Sequence, residues 1–305
     1  MNYILSEGEM QAILQRISKD YEIYGAVERD GEVVFDRVND IRSISEKKSR
    51  YAPKEFLIQR EENVLSVIPN ERRAVFGVKS CDLRGFYVMD RQILHKDPFY
   101  TARRRNTIFV NYVCSEPCKG GFCTTFGGPV LEDFDIQVLR DQEGYHVMVS
   151  GRYASYFHGF RKDSGEAFKG VRERFMREMK PLSIEGIEER IKWDSKLWKN
   201  FAARCISCGA CNFSCPTCYC FDLHDEGDER KREWDSCILS GFTRTSAGNV
   251  RPDLSDRLRQ RFYHKFSYYK KAQGEYLCTG CNRCVEDCPV GIDIKEVITH
   301  DYLGE

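Results

Sequence analysis

Two cysteine runs constrain this chain more than any other feature. The first is Cys205-x2-Cys208-x2-Cys211-x3-Cys215, followed by Pro216, and the second is Cys278-x2-Cys281-x2-Cys284-x3-Cys288, followed by Pro289. This spacing presents thiolates to [4Fe–4S] clusters in the bacterial-ferredoxin manner. The first three cysteines of a run wrap one corner of a cubane. The fourth, held away by the proline turn, ligates the other cluster. The runs therefore predict one cluster on Cys205, Cys208, Cys211 and Cys288, and a second on Cys278, Cys281, Cys284 and Cys215. The alternative is structural zinc, but neither run breaks into the separated CxxC pairs of a zinc ribbon.

Bulk composition excludes several function classes. The 305 residues include 47 basic and 47 acidic side chains, so there is no basic excess of the kind that nucleic-acid binding needs. No stretch approaches the apolar length of a membrane span. The N-terminal residues show no basic region leading into an apolar core, so no secretory signal is expected. Fifteen cysteines in such a chain point to metal or redox chemistry in a reducing cytoplasm rather than to disulfides.

Hydrophobic periodicity divides the chain at Pro181. Ser6 and Glu9 predict a capped helix to about Lys19. Tyr21–Val27 and Glu32–Phe35 predict a hairpin about Asp30-Gly31. Arg73–Val78 and Asn106–Val113 predict strands joined by a helix over Asp82–Leu94, and this order implies a parallel pair. Residues 134–140 and 145–150 flank Glu143-Gly144 as a second hairpin. Helices are expected over Ser164–Met179, Ile184–Arg204 and Leu254–Tyr268. Sixty-two residues, Pro216–Leu277, separate the two runs, more than in a compact ferredoxin. The expected fold class is α+β/α: a mixed α/β domain over 1–180 followed by a domain over 181–305 that resembles the α-helical ferredoxin domains of multi-subunit redox enzymes.

Seven cysteines lie outside the runs. Cys81 and Cys114 close the two predicted parallel strands, so they meet at one sheet edge. Cys118 and Cys123 sit on a Gly-rich loop that can fold back over that edge. Together these four predict a third [4Fe–4S] cluster at the carboxyl edge of the sheet, where open α/β sheets bind ligands. The alternative is that they are buried structural thiols. Cys218 and Cys220 are read as packed thiols, and Cys237 as an isolated buried one. Arg204 precedes the first run and Arg283 sits inside the second; a cation there would favour a reduced cluster, the alternative being that both are solvated surface charges. Arg103-Arg104-Arg105 is read as a solvated face, and His264 as a structural histidine. There is no GxGxxG after a strand and no P-loop, so binding of NAD(P) or FAD by this chain alone is not expected.

Gly77-Val-Lys-Ser-Cys-Asp-Leu-Arg84, Asp97-Pro-Phe-Tyr-Thr-Ala-Arg-Arg-Arg105, Asn111-Tyr-Val-Cys114, Cys205–Phe221 and Arg261-Phe-Tyr-His-Lys-Phe266 carry a resemblance along most of the chain. The chain resembles the β subunits of soluble sulfhydrogenase-type NiFe hydrogenases and the related A subunit of anaerobic sulfite reductase. It departs from them at Gly121-Phe122-Cys123, where the family has Cys-Phe-Cys and the partner here is Cys118. The resemblance implies an electron-transfer subunit of a cytoplasmic hetero-oligomer. Single electrons would pass between a flavin- and NAD(P)-binding reductase subunit and a catalytic subunit of hydrogenase or sulfite-reductase type. A rival reading makes the N-terminal cluster a catalytic substrate site. Another makes the clusters a redox sensor, which the missing basic excess disfavours.

Overall fold

The computed structural model describes residues 1–302. Strand β1, Asn2–Leu5, leads directly into helix α1, Glu7–Ile17, because Ser6 and Glu9 close a capping box. Strands β2, Glu22–Arg29, and β3, Glu32–Arg37, turn at Asp30-Gly31, whose φ values of 51° and 81° suit a two-residue hairpin. A short β4, Glu61–Asn63, precedes β5, Arg73–Val78. Helices α2, Ser80–Ile93, and α3, Pro98–Asn106, then lead to β6, Thr107–Tyr112. Strands β7, Ile136–Arg140, and β8, Tyr145–Val149, complete a seven-stranded sheet of order β1-β8-β7-β6-β5-β2-β3. Its middle four strands, β2, β5, β6 and β7, run parallel, and the outer pairings are antiparallel.

Strands β5 and β6 are apolar on both faces because both faces are covered. Phe76 and Val110 pack toward Met10, Ile13 and Leu14 of α1. Val75 and Phe109 pack toward Leu83, Phe86 and Met89 of α2. At the carboxyl ends of these two strands the chain leaves toward Cys81 and Cys114. Helix α4, Glu166–Glu178, buries Phe168, Val171 and Phe175 against Val113, Val130 and Leu139.

The single helix expected over Ile184–Arg204 is instead two, α5 at Ile187–Arg190 and α6 at Leu197–Arg204. Local side chains compete with the helix at the break. The Trp198 indole N–H donates to Lys192 O at 2.9 Å, and Ser195 Oγ accepts the Leu197 N–H at 3.1 Å. Helix α7, Ala210–Phe213, follows inside the first cysteine run. The long connection between the runs opens with a hairpin that periodicity did not reveal, β9 at Phe221–Glu226 and β10 at Glu229–Trp234. Helix α8, Leu254–Tyr263, then passes through a π turn, His264–Tyr268, and continues over Tyr269–Gln273.

The two halves of the chain interleave. Strand β10 pairs with β4, setting Arg232 opposite Glu62. Buried Glu62 accepts both Arg103, at 2.6 Å, and Arg232, at 2.5 Å. Arg104 pairs with Asp90 at 2.9 Å. Two of the three consecutive arginines thus lie in buried or half-buried ion pairs, and only Arg105 is exposed. Phe122 and Phe126 insert into the core formed by Trp198, Phe201, Phe262 and Phe266. Arg283 of the second run is fully buried on Asp82 of α2, at 2.5 and 3.0 Å. Asp82→Ala would strand this guanidinium without a counter-ion and is expected to lower unfolding free energy by about 3–5 kcal/mol in chemical denaturation.

Candidate iron–sulfur centres

The two runs adopt the same backbone. Ser207 and Gly209 have φ of 58° and 74°, and Gly280 and Asn282, at the matching positions, have 68° and 66°. Alternation of left- and right-handed residues aims successive N–H groups into one concavity, which suits an anionic cluster. A single helical turn follows each loop, Ala210–Phe213 in one and Arg283–Glu286 in the other, and sets the fourth cysteine aside. The backbone also donates to cysteine sulfur in both runs: Ser207 N to Cys205 Sγ at 3.4 Å, and Ile292 N to Cys288 Sγ at 3.3 Å.

Cys205, Cys208, Cys211 and Cys288 line one cavity, walled by Leu258 and Phe262, and Cys284 reaches its edge. The Cys205 thiolate is close enough to Cys208 and Cys288 to be repelled by both. Cys215 acts in the same way on Cys278, Cys281 and Cys284. Cys81 lies in the first turn of α2 rather than at a strand end, within electrostatic reach of Cys114 and Cys281. Cys123 is likewise near Cys114, Cys118 and Cys281. The loop bearing Cys118 and Cys123 presses directly on the second run: Phe122 N donates to Gly280 O at 2.9 Å. A Cβ on Gly280 would stand 2.5 Å from the Phe122 carbonyl, and its φ of 68° also favours glycine.

The donor chemistry suits iron–sulfur clusters. Among the described residues, the ligating side chains that converge within 4.8 Å are the exposed Asp222 and Glu233 with half-buried His224, and no three cysteines do so. A tetrahedral zinc–thiolate site needs sulfurs about 3.8 Å apart, given Zn–S near 2.3 Å. Burial pushes the thiols of Cys81, Cys114 and Cys123 up, and that of Cys278 to about 11. Metal binding must displace those protons.

Buried cations face these thiols. Arg261 donates to Asn212 Oδ1 at 2.8 Å and to Cys211 O at 3.1 Å. Lys265 donates to Cys215 Sγ at 3.3 Å, to Thr217 Oγ1 at 3.1 Å and to Leu277 O at 3.0 Å. Lys54 crosses from the N-terminal half to Asn212 O, 3.1 Å, and Cys218 O, 2.8 Å. A hydrogen bond from Cys218, aided by Lys265, holds Cys215 well below the ordinary thiol value. Of the two arginines singled out by their place beside the runs, Arg204 is exposed and paired with Glu296, whereas Arg283 is buried within 3.8 Å of Cys81 Sγ. Arg261, Lys54 and Asn212 escaped the sequence reading. The four-residue spacing of Arg261 and Lys265 on one helix could have revealed that pair. Burial, then Lys265, pushes His264 down to about 4, so its ring is neutral, and it rests between Tyr219 and Tyr269 rather than on a ligand thiol. Cys237 is not isolated, because Asn212 Nδ2 donates to its sulfur at 3.2 Å.

Residues 204–292 match the 4Fe–4S dicluster domain family. The chain is 30% identical to sulfhydrogenase 2 subunit beta of Pyrococcus furiosus over 332 aligned positions, covering 98% of both proteins. No solved structure matches it. Among the described residues, no helix is long and apolar enough to cross a membrane.

With a cluster held on Cys215, the Lys265 ammonium would favour its reduced, more negative state. Lys265→Met is therefore expected to lower the potential of one centre by roughly 60 mV or more, a tenfold change in a one-electron equilibrium. Potentiometric titration followed by electron paramagnetic resonance checks it.

Proposed function

The chain belongs to the sulfhydrogenase β-subunit family of iron–sulfur electron-transfer proteins, and from that premise we propose that it relays single electrons through three [4Fe–4S] centres within a larger oxidoreductase. The ligand sets are Cys205, Cys208, Cys211 and Cys288; Cys278, Cys281, Cys284 and Cys215; and Cys81, Cys114, Cys118 and Cys123. Bound there, the clusters supply one-electron redox couples whose potentials follow nearby charge, hydrogen bonding and exposure.

The observation that carries this reading is the contiguity of the three thiol sets. The middle set shares Cys215 and Cys288 reciprocally with the first, and its Gly280 touches the Phe122-Cys123 backbone of the third. Arg261 and Lys265 supply positive charge beside the first two, and Arg283 stands beside Cys81. Cys215, Cys278 and Cys281 are buried, as the inner part of a relay requires. At one end Cys208 is exposed next to Ile206, which is 62% exposed. This end offers contact with one partner, and the edge near Cys118 with another. The proposed partners are a flavin- and NAD(P)-binding reductase subunit and a catalytic subunit of hydrogenase or sulfite-reductase type. The chain needs no acid–base residue of its own for this role.

Iron and acid-labile sulfide per chain, measured on protein purified without oxygen, test the reading. About 12 of each are expected, falling to about 8 in a Cys81→Ser Cys114→Ser variant and to about 8 in a Cys205→Ser Cys288→Ser variant. Wild-type protein with about 8 of each would leave only the two C-terminal centres. Substrate turnover by the isolated chain would replace the relay with a catalytic role.

A further inference from the structure

We propose that Cys220 and Cys237 form a reversible dithiol–disulfide couple, and that the cavity beside them admits small anionic disulfides. Neither cysteine belongs to the three ligand sets, although Arg261, Lys265 and Asn212 serve both places.

Strand pairing builds the thiol pair. Phe221 lies opposite Trp234 in the β9–β10 hairpin, and the pairing continues beyond it, with Asp235 N donating to Cys220 O at 3.0 Å. The two legs therefore leave the hairpin side by side and bring Cys220 and Cys237 together. Each thiol is the largest influence on the other's titration, raising Cys220 and lowering Cys237, so the two sulfurs are neighbours. Asn212 Nδ2 donates to Cys237 Sγ at 3.2 Å and to Ser236 Oγ at 2.9 Å, while Arg261 fixes the other end of that amide. Cys237 is thus held as the sulfur best supplied with donors, and Cys220 as its neighbour.

Both thiols open onto a cavity of about 320 Å³. This is at the lower end of the size that takes a small molecule. Arg251, Arg261, Lys265 and the neutral His264 contribute to its wall, and no carboxylate does. Such a wall favours an anionic ligand.

The chemistry balances as thiol–disulfide exchange. The Cys237 sulfur, losing its proton, attacks one sulfur of R–S–S–R. The R–S–S–R bond breaks, one thiolate RS⁻ leaves and takes up that proton, and Cys237 carries the mixed disulfide. Cys220 then attacks the Cys237 sulfur, releasing the second RSH and closing the Cys220–Cys237 bond. The two cysteines are oxidised by two electrons and the small disulfide is reduced by two.

The test treats anaerobically purified holoprotein with oxidised glutathione, and in parallel with the neutral 2-hydroxyethyl disulfide, with iron assayed on the same samples. Peptide mass spectrometry is expected to find a Cys220–Cys237 linkage, with loss of about two titratable thiols per chain and no loss of iron. Cys220→Ser is expected to stop at a glutathione adduct on Cys237, and Cys237→Ser to form neither product. Absence of the linkage and of the adduct, with iron retained, overturns the couple. Loss of iron from either serine variant also overturns it, since the thiols would then be ligands. Equal rates with the neutral and anionic disulfides overturn the assigned ligand class.

Discussion

Burying many thiolates together is the constraint on which this structure depends. Each would be costly in a low-dielectric interior without a compensating partner. The chain meets this with cations that are themselves buried: Arg261, Lys265, Lys54 and Arg283 are all almost wholly enclosed. Lys48 adds a fifth, donating to Cys281 O at 3.0 Å while paired with Glu286 at 2.8 Å. These side chains come from both halves of the sequence. The N-terminal loops at Lys48 and Lys54 reach into the cysteine runs, and the second run returns Arg283 to Asp82.

The same requirement explains the interleaving. The sheet is covered on both faces, and at its carboxyl edge α2 begins with Cys81 and Asp82. Gly85 of α2 lies so close to Pro216 that a Cβ would approach it to 2.8 Å. The proline that ends the first run is thereby seated on the helix beginning at the third thiol set. Gly280 makes the corresponding close approach on the second run. Close backbone contact at both places holds the thiol sets near one another, which single-electron transfer requires.

Asn212 links the relay to the dithiol pair. It follows Cys211 in sequence, takes Arg261 on its oxygen and gives its amide protons to Ser236 and Cys237. One buried amide therefore orients a cation near the thiolates and a sulfur in the neighbouring cavity. In a buried network each member fixes the others, because leaving any polar group unpaired is costly.

Local signals were strong where the interactions are local. The Ser6–Glu9 capping box, the Asp30-Gly31 turn, the strands at Arg73–Val78 and Thr107–Tyr112 and the two repeated loops were legible, since each depends on residues a few positions apart. The spacing of the cysteines alone pointed to iron–sulfur chemistry. The break over residues 191–196 was hidden because one indole and one hydroxyl decide it. The hairpin at Phe221–Trp234 was hidden because its strands are polar and exposed, without the alternation that marks a buried strand. The sequence by itself determined the chemistry of the donors and the backbone that presents them. Only the tertiary structure decided which cations neutralise them and that Cys220 meets Cys237, because charge compensation and strand register depend on residues far apart in the chain.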